Sequence, residues 1–135
     1  MAGYSGTPLP RKLGIKPGQR VVLLDAPDTF LPSIEPLPPD TDLLGRPEPP
    51  IDLAVAFADR GDRLRAHFAT LEPLLAPAGI LWAAWPKKTS GRPTDLVHSR
   101  VQATGLAAGL VDVKVCAIDE TWSGLKFVRR VEDRR

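Results

Sequence analysis

The sequence predicts an α/β fold, with a mostly parallel sheet of about five or six strands finished by an antiparallel β-hairpin. Three observations carry this. Arg20–Asp25, Leu53–Ala58 and Ile80–Trp85 are short apolar runs bounded by Gly, Pro or Asp. Strands that are apolar on both faces belong in the middle of a parallel sheet covered by helices. Between the second and third runs, Leu64, Phe68, Leu71 and Leu75 fall at i, i+4, i+7 and i+11, one stripe of a helix. A strand, a helix and a strand of this length make a right-handed crossover unit. Val111-Asp112-Val113-Lys114-Val115 then alternates strictly, the mark of a half-exposed strand near the sheet edge.

The remaining elements follow in order. Thr7–Gly14 reads as a short helix, with Thr7 as N-cap, Pro8 in the first helical position and Gly14 as the left-handed residue past the end. Lys16-Pro17-Gly18-Gln19 is a turn into the first strand. Asp59–Ala76 is the helix of the crossover, capped by Asp59 or Asp62 and kinked or restarted at Pro73. Ala76-Pro77-Ala78-Gly79 is the turn after it. Thr94–Leu106 is a second helix, with Thr94 as N-cap and Asp95 at its positive end. Asp119–Gly124 is a hairpin loop, and Leu125–Arg130 is the returning strand. Leu31–Pro50 holds seven prolines, and within it only Asp40–Leu44 suggests a short strand.

Composition bounds the class. A chain of 135 residues fits one domain, here residues 1–130 with a proline-rich connection at 27–50 and a basic tail at 131–135. Of the 15 prolines, eight fall between Pro27 and Pro50. Elsewhere the balance is ordinary, with 43% hydrophobic and 25% charged residues, which argues against a disordered chain or a coiled coil. The longest apolar runs reach six residues, where a membrane helix needs about 20. The formal charge of +2 is too small to argue for nucleic acid. The lone Cys116 excludes an internal disulfide and a cysteine-based zinc site, and suits a small core residue. With no signal-peptide run near the start, the expectation is a cytoplasmic protein. His67 and His98 have no partner at ligand spacing, so no metal is expected.

In a parallel sheet the strand-to-helix turns emerge at the carboxyl edge, where ligands of open α/β folds bind. Four loops should meet there: Asp25–Phe30, Asp59–Asp62, Pro86–Asp95 and Asp119–Gly124. They bring Asp25, Asp28, Asp59, Lys87, Lys88, Thr89, Ser90, Arg92, Thr94, Asp95, Asp119, Glu120 and Ser123 together, with Trp85 and Trp122 beside them. Lys87, Lys88, Ser90 and Arg92 could cradle an anion at the positive start of the Thr94 helix. Alternatively Lys87 or Lys88 pairs with Asp119, Glu120 or Asp25 and ties the loops together. Trp122 either stacks on a planar ligand or packs over the crevice. No G-x-S-x-G elbow is present, so a serine hydrolase is not expected.

Two stretches resemble class I S-adenosylmethionine-dependent methyltransferases, a Rossmann-like family. Leu13-Gly14-Ile15-Lys16-Pro17-Gly18-Gln19-Arg20-Val21-Val22-Leu23-Leu24 is similar to the lead-in to that family's first strand. Leu74-Leu75-Ala76-Pro77-Ala78-Gly79-Ile80-Leu81-Trp82 is similar to its approach to strand five. The closing hairpin, Leu110–Arg130, resembles the family's antiparallel finish. The resemblance implies that the last strand inserts beside the third apolar run and leaves the alternating strand at the edge. A further resemblance, to a family of short bacterial proteins without an assigned activity, rests on Tyr4–Leu9, Trp85-Pro86-Lys87-Lys88 with Ser90-Gly91 and Thr94-Asp95-Leu96, and Val113–Leu125.

The chain departs from the methyltransferases at the cofactor. Their first strand is followed by a glycine-rich turn that lets the backbone approach the cofactor. Here the turn is Asp25-Ala26-Pro27-Asp28-Thr29-Phe30, with no glycine. The resemblance implies a ribose-binding acid at the end of strand two, for which Asp42 is the nearest candidate. The strands and helices that flank strand one in the full enzymes are compressed into Leu31–Pro50. The expectation is therefore a non-catalytic protein that binds a small anionic ligand or a protein partner through Lys87, Lys88, Ser90, Arg92, Thr94, Asp95, Asp119, Glu120, Trp122 and Ser123. The alternatives are a divergent methyltransferase, with Asp25 and Asp59 as S-adenosylmethionine-side candidates, or a binder of anions or nucleic acid.

Overall fold

The computed structural model describes residues 6–134. A six-stranded sheet runs through it in the order β2-β1-β3-β4-β6-β5. β1 (Arg20–Leu24), β2 (Asp42–Leu43), β3 (Ile51–Phe57) and β4 (Leu75–Pro86) are parallel neighbours. β6 (Trp122–Arg129) lies antiparallel between β4 and β5 (Leu110–Ala117). The inserted last strand and the alternating strand at the edge are therefore as the resemblance implies. Val113 and Val115 are half-exposed there.

Each face of the sheet carries its own core. On one face Ala54, Ala56, Leu81, Ala83, Leu125 and Phe127 meet α3 (Gly61–Leu71) and α4 (His98–Ala107) through Leu64, Phe68, Leu71 and Val101. On the other, Leu53, Val55, Phe57, Trp82 and Ala84 meet α1 (Leu9–Leu13) and α2 (Phe30–Ile34) through Leu13, Phe30 and Ile34. β3 is buried at six of its seven positions, as a strand covered on both sides must be. Of these, each fully buried Ile, Leu, Val or Phe side chain contributes roughly 1.5–3 kcal/mol relative to leaving it exposed. Trp82 adds a directional tie: its Nε1 donates to the Leu13 carbonyl at 2.8 Å and pins α1 to β4.

Several local expectations are corrected. α1 starts at Leu9 after Pro8, and Thr7 is not its N-cap, although Gly14 does end it at φ 87°. α3 is not capped by Asp59 or Asp62. Arg60 occupies that position, and Asp95, 34 residues away, accepts the Gly61 N–H at 2.9 Å. The helix restarts at Pro73 as a short 3₁₀ turn, Glu72–Leu74. Ala76–Gly79 is not a turn but an irregular stretch inside β4, where the pairing with β3 shifts between Ile51 and Leu53. Gly79 sits there because a Cβ would lie 2.9 Å from the Ile51 carbonyl oxygen. α4 begins at His98, so Thr94 and Asp95 precede it by a loop. The hairpin loop is shorter than expected, because β6 already begins at Trp122.

The proline-rich segment contains α2, which no sequence signal marked, and the short β2 as expected. Only residues 44–50 separate β2 from β3. The tail expected at 131–135 is described as far as Arg134. Val131–Asp133 forms a 3₁₀ turn, and Arg134 Nε donates to the Arg129 carbonyl at 2.9 Å. Tyr4 and Ser5 of the bacterial-family resemblance lie outside the described residues, as does Arg135. Among the described residues no helix is long and apolar enough to cross a membrane.

Candidate functional site

A crevice of about 440 Å³ opens at the carboxyl edge of β1 and β3. Its lining comes from the ends of those strands (Asp25, Pro27, Phe57, Ala58, Asp59), the start of α3 (Arg60, Arg63), the β4–α4 loop (Arg92) and the start of β6 (Trp122). Position follows from topology: parallel strands deliver their loops to one edge.

Asp25 ends β1 in the left-handed region, at φ 54°, a conformation that Asp tolerates better than bulkier residues. Its carboxylate accepts two hydrogen bonds from Arg63, Nε to Oδ2 at 2.8 Å and Nη2 to Oδ1 at 3.3 Å. His67 lies beneath on α3, buried, with Nε2 3.0 Å from both Asp25 Oδ2 and the Phe57 carbonyl oxygen. Both partners are acceptors, so Nε2 carries the proton. The Arg63 guanidinium holds the Asp25 carboxyl below the usual carboxylate value, against the opposing effect of partial burial, with a smaller contribution from His67.

The opposite wall is aromatic and cationic. Trp122 is buried, meets Phe57 edge-on at 5.1 Å, and lies under the Arg92 guanidinium at 5.1 Å. Trp122 thus packs against Phe57 and also lines the crevice. Arg92 also reaches Asp59 at 3.5 Å, and Arg60 pairs with Asp62 at 2.8 Å. A guanidinium has five N–H donors. These contacts leave each of the three with donors to spare.

Of the expected site residues, the crevice gathers Asp25, Asp59, Arg92 and Trp122. Most of the others do structural work around it. Thr94 Oγ1 donates to the Asp59 carbonyl and accepts the Leu96 N–H, while Asp95 caps α3. Ser90 Oγ donates to the Lys87 carbonyl and accepts the Arg92 N–H. Asp119 accepts the N–H groups of Thr121 and Trp122 at 2.8 Å. Ser123 sits within the sheet, paired with Trp85 and Ala117. Lys87 ties the loops through its backbone N–H to the Thr121 carbonyl, rather than through an ion pair with Asp119, Glu120 or Asp25. Lys88 and Glu120 are exposed and line none of it.

Arg60, Arg63 and His67 were missed by sequence reasoning. The signal for His67 was available, since Leu64, His67, Phe68 and Leu71 fall on one helical face. The Arg63–Asp25 pair spans 38 residues and had no local signal.

No family model and no curated protein matches the chain. Solved structures do. A possible exported protein from Bordetella parapertussis matches with a TM-score of 0.67 at 11% identity, covering 91% of this chain and 66% of that one. A SAM-dependent methyltransferase from Aquifex aeolicus matches with a TM-score of 0.64 at 12% identity, covering 87% and 85%. Fibrillarin from Aeropyrum pernix, solved with natively bound S-adenosyl-L-methionine, matches with a TM-score of 0.60 at 14% identity, covering 93% and 70%. The chain spans about two thirds of the length of the first. It has a truncated class I methyltransferase-like fold. At these identities the likeness concerns the fold alone.

The residues present do not fit the cofactor of such enzymes. The turn after β1 has no glycine, and Pro27 offers no N–H. Asp25 is engaged by Arg63 and His67. Asp42, the candidate ribose acid, pairs in register with Arg20 at the start of β1 and lies 3.5 Å from its guanidinium. At about 3.3 Å per residue it stands roughly 16 Å back from Asp25 along the strands.

Proposed function

We propose that this chain is a non-catalytic binding protein whose carboxyl-edge crevice takes a small anionic ligand with a planar group. The observation that carries the reading is the replacement of a glycine-rich cofactor turn by a carboxylate held under a guanidinium, Asp25 under Arg63. A cationic sulfonium ligand meets three guanidinia at that mouth, Arg60, Arg63 and Arg92, against the lining carboxylates Asp25 and Asp59. An anion meets donors in surplus, and charge-assisted bonds to guanidinium are the strong ones. Trp122 and Phe57 supply the apolar wall for a planar group.

The test is a calorimetric titration with adenosine 5′-monophosphate, which combines a planar group with an anion. Binding should weaken about tenfold or more in Arg63→Gln/Arg92→Gln, since each charge-assisted bond is worth roughly 1.5–3 kcal/mol. Equal affinity in the double variant rejects the crevice as the site.

A second reading, a divergent S-adenosylmethionine-dependent methyltransferase, is favoured by one observation. The crevice occupies the carboxyl edge of a fold shared with enzymes of that description. Micromolar S-adenosylmethionine binding that is lost in Asp25→Ala would establish it.

A further inference from the structure

The face of the sheet under α1 carries a second charged cluster that the crevice does not use. Lys126 on β6 stands in register with Lys114 on β5 and Trp82 on β4. Side chains two apart on a strand share a face, so Lys126 projects on the same side as Trp122 and Gly124. That is the side of Trp82 and α1. Lys114, its register partner, shares this face. From above, Lys12 of α1 reaches the Ala117 carbonyl at 3.4 Å, and Lys16 follows α1.

This arrangement is unfavourable on its own. Like charges directly opposite each other in an antiparallel pair destabilise the sheet. Burial, and after it the positive charges of Lys114 and Lys16, push the Lys126 ammonium below the usual lysine value. Among the described residues no lysine takes part in an ion pair. Lys126 is also half-buried, so its ammonium has given up part of its water.

We propose that the three ammonium groups of Lys12, Lys114 and Lys126 form a binding site for a compact oligophosphate, the chemistry of a condensed phosphate chain. The lysines supply point charges that follow successive phosphates. The cluster is confined to one short strand pair and the end of α1. A chain with a net charge of only +2 carries little field for a long polyanion, which favours a small ligand over a nucleic acid.

The test uses inorganic triphosphate and the full chain at 50 mM salt, read by calorimetry, with orthophosphate and a 20-base-pair DNA duplex as parallel arms. Triphosphate should bind, bind about tenfold or more tighter than orthophosphate, and weaken by a similar factor in Lys114→Gln/Lys126→Gln. The same double variant should melt at an equal or higher temperature, because it removes a like-charge pair; a merely structural role for these lysines predicts the opposite. Lys114→Gln/Lys126→Gln should leave adenosine 5′-monophosphate affinity at the crevice within about twofold, which separates this site from the crevice. The proposal is overturned by no triphosphate binding, by unchanged triphosphate affinity in the lysine variant, by an equal loss of monophosphate affinity in that variant, or by binding of the duplex alone.

Discussion

Asp25 and Arg63 close the end of β1: the carboxylate accepts two hydrogen bonds, at 2.8 and 3.3 Å, from a guanidinium 38 residues further along the chain. That pair stands at the carboxyl edge of the sheet and sets a guanidinium at the mouth of the crevice. The carboxyl of Asp25 is accordingly held below its ordinary value of 3.8. An NMR titration of the side-chain carboxyl should find its midpoint below that value and should move it upward in Arg63→Gln. Because the folded-state value is depressed, the pair stabilises the fold above the unfolded-state value, and that contribution is lost as pH falls through the folded-state value. Both partners are largely exposed, so the effect on stability is modest. A midpoint at or above 3.8 contradicts the pairing.

Asp95 was expected to start its own helix and instead caps α3 across 34 residues. Asp95→Ala leaves the Gly61 N–H without its partner and should cost about 0.5–2 kcal/mol, the usual range for a lost N-cap. Chemical denaturation measures it. Hydrogen exchange should accelerate first at the start of α3. A variant as stable as the parent would show that the cap is energetically idle.

Gly105 seats α4 on the sheet. A Cβ there would fall 2.0 Å from Phe127 Cε2, and that ring is fully buried and packed edge-on against Phe68 at 5.1 Å. Alanine would gain about 1 kcal/mol of helix propensity. The ring has nowhere to move, so overpacking of about 1–3 kcal/mol should dominate. Gly105→Ala should therefore lower the melting temperature; a rise would mean that α4 does not pack as closely as described.

Trp82→Phe tests the attachment of α1. It keeps a large apolar ring but removes the donor to the Leu13 carbonyl. Leaving a buried acceptor unpaired costs about 1–3 kcal/mol. The loss should appear in equilibrium unfolding, with faster exchange confined to the residues of α1 and its flanks. Loss spread evenly over the sheet would contradict this tie.

The central sheet was legible because its strands are apolar on both faces, a pattern that Leu53–Ala58 and Ile80–Trp85 show without interruption. The helix boundaries were not. Thr94 and Asp95 look like a cap in sequence, but their side chains are spent on Asp59 and Gly61 in another loop. α2 was hidden because Pro32 lies within its five residues and suppresses any periodic signal. The carboxyl edge was correctly located from element order, and Asp25, Asp59, Arg92 and Trp122 do line it. Which lysines and arginines face it was not legible. Lys87 and Lys88 look like the anion site, whereas the crevice takes Arg60 and Arg63 from the first turns of α3. Pairings over long sequence separations decide such questions, and they leave no local trace.

The proposed ligand class turns on Arg60, Arg63 and Arg92 at the mouth of the crevice. The most direct measurement is a pair of calorimetric titrations into the unmodified protein under one buffer, S-adenosylmethionine in one and adenosine 5′-monophosphate in the other. Binding of the monophosphate with no heat from S-adenosylmethionine is the result predicted. Micromolar binding of S-adenosylmethionine with none of the monophosphate would contradict it.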